Sequence, residues 1–168
     1  MIKVLFSDSN DMEIKGPSIF LAGPTSREND FQKSWRKEMI ECLEKAGFAG
    51  TVCVPEFGNM RPFQPEDWEA QVAWEEKFLT TVDVILFWVP RKSPDMLGLT
   101  TNLEFGTYFT EEPRRVILAY PPDAESMQWM ELRYRSHKFE EPIHDMQEAA
   151  EAACHLAKER FIQSIIRK

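Results

Sequence analysis

Short apolar runs alternate along the chain with longer stretches in which apolar residues recur every three or four positions. Ser18-Ile-Phe-Leu-Ala22 is an apolar run closed by Gly23-Pro24, the pattern of a buried strand ending in a turn. From about Asp30 to Ala46 the apolar positions are Phe31, Trp35, Met39, Cys42, Leu43 and Ala46, one face of a helix with Gly47 as its stop. Thr51-Val-Cys-Val54 predicts a second strand, closed by Pro55. Pro65-Glu66-Asp67 puts a proline and two acids where a helix start favours them, and that helix is expected to run to about Thr80. Val84-Ile-Leu-Phe-Trp-Val89 is apolar on both faces, as a central parallel strand must be.

The second half continues the alternation. A helix is expected from about Thr101 to Thr110, a strand from Arg115 to Ala119, and a helix from Ala124 to Arg135. A short edge strand is expected near Glu141 to Ile143, then a last helix from Met146 to Ile166 with Asp145 and Glu148 as a capping pair. The first 17 residues have no settled place; Ile2 to Phe6 fits either an edge strand or an arm folded back on the domain. Five strands alternating with helices make one α/β domain over residues 1–168, with a parallel sheet covered on both faces. Ligands of such sheets bind beyond the carboxyl ends of the strands, where the strand order reverses. Three loops are therefore expected to converge: Gly23 to Asn29, Pro55 to Gln64, and Pro90 to Thr101.

Composition narrows the function classes. The 168 residues suffice for one domain, and a net charge of −8 argues against a nucleic-acid backbone as partner. A free nucleotide remains compatible, since a few local donors can hold one phosphate. No apolar run approaches a membrane span, and the N-terminal stretch turns acidic too soon for a signal peptide. Cys42, Cys53 and Cys154 are odd in number and far apart, which fits neither a disulfide framework nor a zinc site and points to a reducing, cytoplasmic compartment. Dinucleotide, P-loop and nucleophile-elbow motifs are absent, and His137, His144 and His155 are too late and scattered for a metal site or triad.

Three places could carry chemistry. Gly23-Pro24-Thr25 follows a strand, where glycine permits close approach of a ligand and backbone N–H groups can bind an anion; the plain alternative is an ordinary strand-to-helix turn. Glu75 falls in the helical row Trp68, Val72, Glu75, Leu79, whose other members call for burial. A carboxylate there must line a pocket, be protonated, or pair with an arginine at the edge of the stripe. Thr101 and Glu104 have the spacing of a capping box, which locally favours Glu104 binding its own backbone. Its position facing the loop cluster offers the other reading, a carboxylate steadied by a helix N-terminus and ready as a nucleophile. Arg91 could meet a phosphate or be solvated. Trp35, Trp74 and Trp88 are core candidates, with Trp88 the best placed to stack on a base, and Asp83 reads as structural.

Taken together, Phe20-Leu-Ala-Gly-Pro24, Ser34-Trp35-Arg36, Trp74-Glu75, Asp83-Val-Ile-Leu-Phe-Trp-Val-Pro-Arg91 and Thr100-Thr-Asn-Leu-Glu-Phe-Gly106 resemble the nucleoside 2-deoxyribosyltransferase-like family, its transferase branch above all. The resemblance spans roughly residues 18 to 150. It implies a flavodoxin-like, Rossmann-like fold and an N-glycosidic bond cleaved or transferred on a nucleoside or nucleotide, with no cofactor. It implies Glu104 as the covalent nucleophile and Glu75 as the acid or base facing the leaving base. Gly23, Pro24 and Thr25 match the sugar or phosphate turn, with Arg91 and Asn102 as further contacts. It also implies at least a homodimer. One departure stands out: Gly98 occupies a position where the family carries an aspartate, and Asp95 is the nearest substitute. The competing expectation is a non-catalytic nucleotide-binding module in which Glu104 only caps its helix.

Overall fold

The computed structural model describes residues 1–25, 33–59 and 64–167. Five strands form one all-parallel sheet in the order β1-β3-β2-β4-β5. They are β1 Lys3–Phe6, β2 Ser18–Ala22, β3 Thr51–Val54, β4 Val84–Trp88 and β5 Val116–Ala119. The helices are α1 Trp35–Lys45, α2 Trp68–Thr81, α3 Leu99–Glu111, α4 Gln128–Lys138 and α5 Met146–Ile166. The chain leaves β2 for β3 on one side and returns to β4 on the other. The order therefore reverses between β2 and β4, the flavodoxin-like switch point. Among the described residues no helix is long and apolar enough to cross a membrane.

Side-chain alternation along the strands feeds two cores. Phe20, Cys53, Ile85, Phe87 and Leu118 point to the face covered by α2, α3 and α4. Ile19, Leu21, Val52, Leu86, Trp88 and Ile117 point to the opposite face, under α1 and α5. α5 meets the sheet through Ala149, Ala150, Ala153 and Ala157, whose small side chains let the helix axis sit close to the strands. Its N-cap is as the spacing predicts: the Asp145 carboxylate accepts from the Glu148 amide at 2.9 Å. At the far pole, Asp83 accepts from the amide and hydroxyl of Ser18, tying the amino ends of β2 and β4 together.

Several expectations change. Residues 3–6 form a full edge strand beside β3, which settles the arm-or-strand question in favour of the strand. Residues 141–143 do not form one: only a single bridge joins Ile143 to Ala119. Pro142 has no N–H to donate, and Glu141 is turned to Arg135, so the pairing stops after one step. The α1 start expected at Asp30 falls outside the described residues; the described helix begins at Trp35 with Ser34 as N-cap. The helix expected from Ala124 begins at Gln128.

α2 is rotated relative to the row read from the sequence. Its buried residues are Gln71, Trp74, Phe78 and Leu79, while Trp68 and Val72 are 58% and 46% exposed. Trp74 and Phe78 pack with tilted rings, centroids 4.6 Å apart, and Trp74 meets Phe20 of β2. Burying two aromatic rings outweighs burying one tryptophan and one valine.

Gly23 lies against the β4 backbone with no room for a side chain. Its φ is +149°, and a Cβ there would lie 2.1 Å from the Trp88 carbonyl oxygen. We predict that Gly23→Ala destabilises the fold by about 2–5 kcal/mol, combining a strained backbone with overpacking. Urea denaturation of the variant against the parent checks this; a midpoint within error of the parent would contradict it.

Candidate active site

Beyond the carboxyl ends of β2, β3 and β4 lies a cavity of about 520 Å³. The three expected loops supply its rim: Gly23, Pro24 and Thr25 from the first, Pro55, Glu56 and Phe57 from the second, Leu97 to Thr100 from the third. Helices supply its polar interior through Arg36 of α1, Gln71 and Glu75 of α2, and Glu104 of α3. One flank is apolar, formed by Phe57, Trp68, Leu97 and Leu99. No cluster of three metal-ligating side chains occurs among the described residues.

Glu104 does not cap its helix. Gly98, in the left-handed region at φ +60°, precedes α3, so the helix starts at Leu99, two residues ahead of Thr101. Thr101 is buried inside the first turn rather than standing at its end, and the box cannot close. Glu104 thus sits in the second turn with its side chain on the cavity. It makes no hydrogen bond among the described residues. Burial, and secondarily the negative charge of Glu75, push its pKa up to about 8, with Arg36 pulling the other way. Burial and the neighbouring carboxyl therefore oppose the ionised form that the helix end was expected to steady, and favour the protonated acid.

Glu75 comes to the cavity because α2 rotates. It lies one step beyond the Gln71, Trp74, Phe78 row, at the edge of the helix face that meets the sheet. Its Oε1 accepts from Gln71 Nε2 at 2.7 Å, and Gln71 also donates to the Pro55 carbonyl. Gln71 thereby fixes the rotamer of Glu75. Burial raises the Glu75 pKa, opposed by the Gln71 hydrogen bond and by Arg36. Glu75 adds to the cost of ionising Glu104, so the two acids of this partly dry cavity are linked in their titration.

The floor beneath them is an ion pair that sequence reasoning gave no role. Arg36 is 1% exposed and Glu56 is 2% exposed. Arg36 donates from Nε to the Leu21 carbonyl, from Nη2 to the Gly23 carbonyl, and from Nη1 to Thr25 Oγ1 and Glu56 Oε1. Ser34 Oγ donates to the same Glu56 oxygen at 2.7 Å. Trp35 Nε1 completes the frame on the Pro24 carbonyl. The signal for Arg36 was present in the sequence: it shares a helical row with Met39 and Leu43, the same argument that drew attention to Glu75. Nothing local marks Glu56 as its partner.

The remaining sequence candidates go elsewhere. Gly23, Pro24 and Thr25 line the cavity. The close approach that Gly23 permits is to the β4 backbone. Trp88 is buried in the core on the α1 and α5 side, not on the cavity, because its β4 position alternates to that face. Arg91 is 6% exposed and turned inward, donating to the Ser126 carbonyl and to Asn102 Oδ1, with its Nε buried and unpartnered. Asn102 is spent on the same bond, so both brace α3 against the loop before α4 and neither lines the cavity. Asp95 is exposed and also outside it, while Gly98 lines it. Trp68, read as a core residue, is the tryptophan at the cavity wall.

A model of the family described as nucleoside 2-deoxyribosyltransferase like matches residues 16–124. The chain belongs to this family. The match runs from the turn before β2 to the loop after β5, so every cavity-lining residue named above lies inside it. No curated protein matches the chain.

Three outcomes follow from the electrostatics. Because Glu75 raises the Glu104 pKa, Glu75→Gln lowers it from about 8, leaving the part due to burial. Carboxyl ¹³C NMR titration reads this, and an unchanged or higher value would contradict the coupling. A carboxyl with a folded pKa above its ordinary 4.5 favours folding only while protonated, so its contribution is full below about pH 4 and is lost as pH rises through about 8. Glu104→Gln is therefore expected to raise Tm by a margin that widens from pH 5 to pH 9, measured by thermal denaturation across that range. The isolated substitution Arg36→Met should cost about 3–5 kcal/mol, since it strands Glu56 as a buried, unpaired charge.

Proposed function

We propose that this protein cleaves or transfers the N-glycosidic bond of a nucleoside or nucleotide through a covalent glycosyl-Glu104 intermediate. The observation that carries the reading is a pair of carboxyl groups from successive helices on one cavity. One of them, Glu104, is left without a hydrogen-bond partner among the described residues. A nucleophile must be free to move onto the reacting carbon, whereas an acid–base group must be held in place. Glu104 fits the first requirement, and Glu75, clamped by Gln71, fits the second.

The chemistry balances with one proton shared by the pair. With the proton on Glu75, ionised Glu104 attacks the anomeric carbon. The carbon–nitrogen bond breaks, its electron pair leaves with the base, and Glu75 protonates that base. In the second half an acceptor displaces Glu104 while Glu75 takes the acceptor's proton, giving net retention. Water as acceptor makes the protein a hydrolase; a second base makes it a transferase. Positive charge developing on the sugar favours the ionised form of Glu104 at the moment it is needed, against the burial that otherwise favours the acid.

Incubation with a panel of nucleosides and nucleotides, with and without an added free base, tests the reading by chromatography. Free base alone indicates hydrolysis and a new nucleoside indicates transfer. Glu104→Ala and Glu104→Gln are expected to lose turnover by about 10³-fold or more while remaining folded. Retained turnover in either variant would remove the proposal. Tight binding of a nucleotide without base release by the parent protein would instead favour a non-catalytic binding module. Because the productive form keeps one proton on the pair, on Glu75 with Glu104 ionised, kcat/KM should fall as pH rises through about 8, where the pair loses that proton.

A further inference from the structure

At the opposite pole of the sheet lies a second cavity of about 340 Å³, where the carboxyl ends of α2 and α3 meet the end of α5. Four arginines line it, Arg114, Arg115, Arg160 and Arg167, facing the carboxylates Glu112 and Asp83. Four positive charges against two negative leave a surplus of two, in a chain whose net charge is −8. Such a concentration runs against the charge of the whole molecule and so needs a local reason.

The protein itself satisfies these arginines only in part. Arg115 is 5% exposed, yet it donates a single hydrogen bond, from Nη1 to the Val82 carbonyl, and lies 3.6 Å from Glu112. Glu112 is shared, because its other oxygen is taken by Arg160. The Nε of Arg160 is buried without a hydrogen-bond partner, and that of Arg115 has only the long ion pair to Glu112 and no hydrogen bond. The exposed Arg114 and Arg167 side chains have no partner among the described residues. A buried guanidinium with unmet donors is unfavourable unless something outside the protein meets them.

We propose that this cavity is an oxyanion site, separate from the carboxylate cavity, that takes a doubly charged phosphate group, free or as a phosphate monoester. The surplus of two charges matches such a group, planar guanidinium forks are the side chains best shaped for its oxygens, and the volume accommodates the phosphate with a small organic substituent. The carboxylates of the other cavity are not involved, so the inference stands or falls independently of the glycosidic reading.

Thermal denaturation in inorganic phosphate, against sodium chloride at matched ionic strength, tests it. Phosphate at roughly ten times its Kd should raise Tm by about 4 °C over the chloride control. The double variant Arg114→Gln/Arg167→Gln removes two exposed side chains that hold nothing in the fold, so it should keep the parental Tm in chloride and bind phosphate at least tenfold more weakly. Glu104→Gln should keep the full phosphate effect. Glycerol phosphate, a monoester with no nucleoside for the other cavity, in a parallel arm distinguishes an ester from free phosphate by its relative affinity. Equal shifts in phosphate and chloride, an undiminished effect in the arginine double variant, or its loss in Glu104→Gln would each overturn the proposal.

Discussion

The buried pairing of Arg36 with Glu56 is the interaction on which the cavity depends. One guanidinium holds the carbonyls of Leu21 and Gly23 at the end of β2, the Thr25 hydroxyl beyond it, and the carboxylate that follows β3. Loops at the end of a sheet have no ladder to fix them, and here a side chain from α1 replaces it. Taking both charges out of water costs several kcal/mol per ion, which the pair offsets only because nearly every Arg36 donor finds an oxygen. An apolar pair of equal volume would serve stability as well or better. It would not hold Gly23-Pro24-Thr25 against α1, nor supply the positive charge that opposes the raised pKa values of Glu75 and Glu104. The pair is better understood as a device for the geometry of the loops than as a source of folding energy.

That frame lets two carboxyl groups be placed where folding alone would not put them. Glu104 lies in a helix turn flanked by Phe105, yet its own side chain meets no protein donor among the described residues. The fold accepts a group whose ionisation is opposed by burial and by its neighbour. This is the pattern expected where a site is shaped for a later charge rather than for the resting state. The contrast with Asp83 is instructive. It is a carboxylate at the amino end of β4, and one of its oxygens accepts twice from Ser18. One acid closes the sheet and the other is left open at the pole where the strand order reverses.

Much of this was legible in the sequence because the signals were strong and local. β2, β3 and β4 announced themselves as apolar runs stopped by Gly23, Pro55 and Pro90, and α5 by its Asp145 cap. The convergence of three loops followed from the parallel sheet alone. What was misread was a contest between two local solutions. Apolar residues occupy two rows of α2, and only the tertiary preference for burying Trp74 and Phe78 decides between them. Thr101 and Glu104 have the right spacing for a box, but the left-handed Gly98 starts the helix early and removes it. Residues 141–143 have strand-like neighbours and a proline that ends the pairing. The Arg36–Glu56 pair was half visible: Arg36 intrudes on an apolar row, but its partner lies on a different element, and no local pattern encodes that meeting.

The two poles of the sheet also carry opposite charge for a common reason. In a right-handed strand–helix–strand unit, helix amino ends gather at the carboxyl edge of the sheet and helix carboxyl ends at the other. The macrodipoles then favour carboxylates at the first pole and cations at the second, each by a fraction of a kcal/mol. Glu56 beside the start of α1 and Glu104 near the start of α3 obey the first rule. Arg115 on the Val82 carbonyl at the end of α2 obeys the second. The dipoles explain the sign of each pole but not its excess. A C-terminal carbonyl occupies one donor of one arginine, while the other guanidinium groups around that cavity keep donors unspent. The surplus at both ends, of carboxyl groups at one and guanidinium groups at the other, is thus more than fold geometry requires, and that excess separates a site from a well-capped helix end.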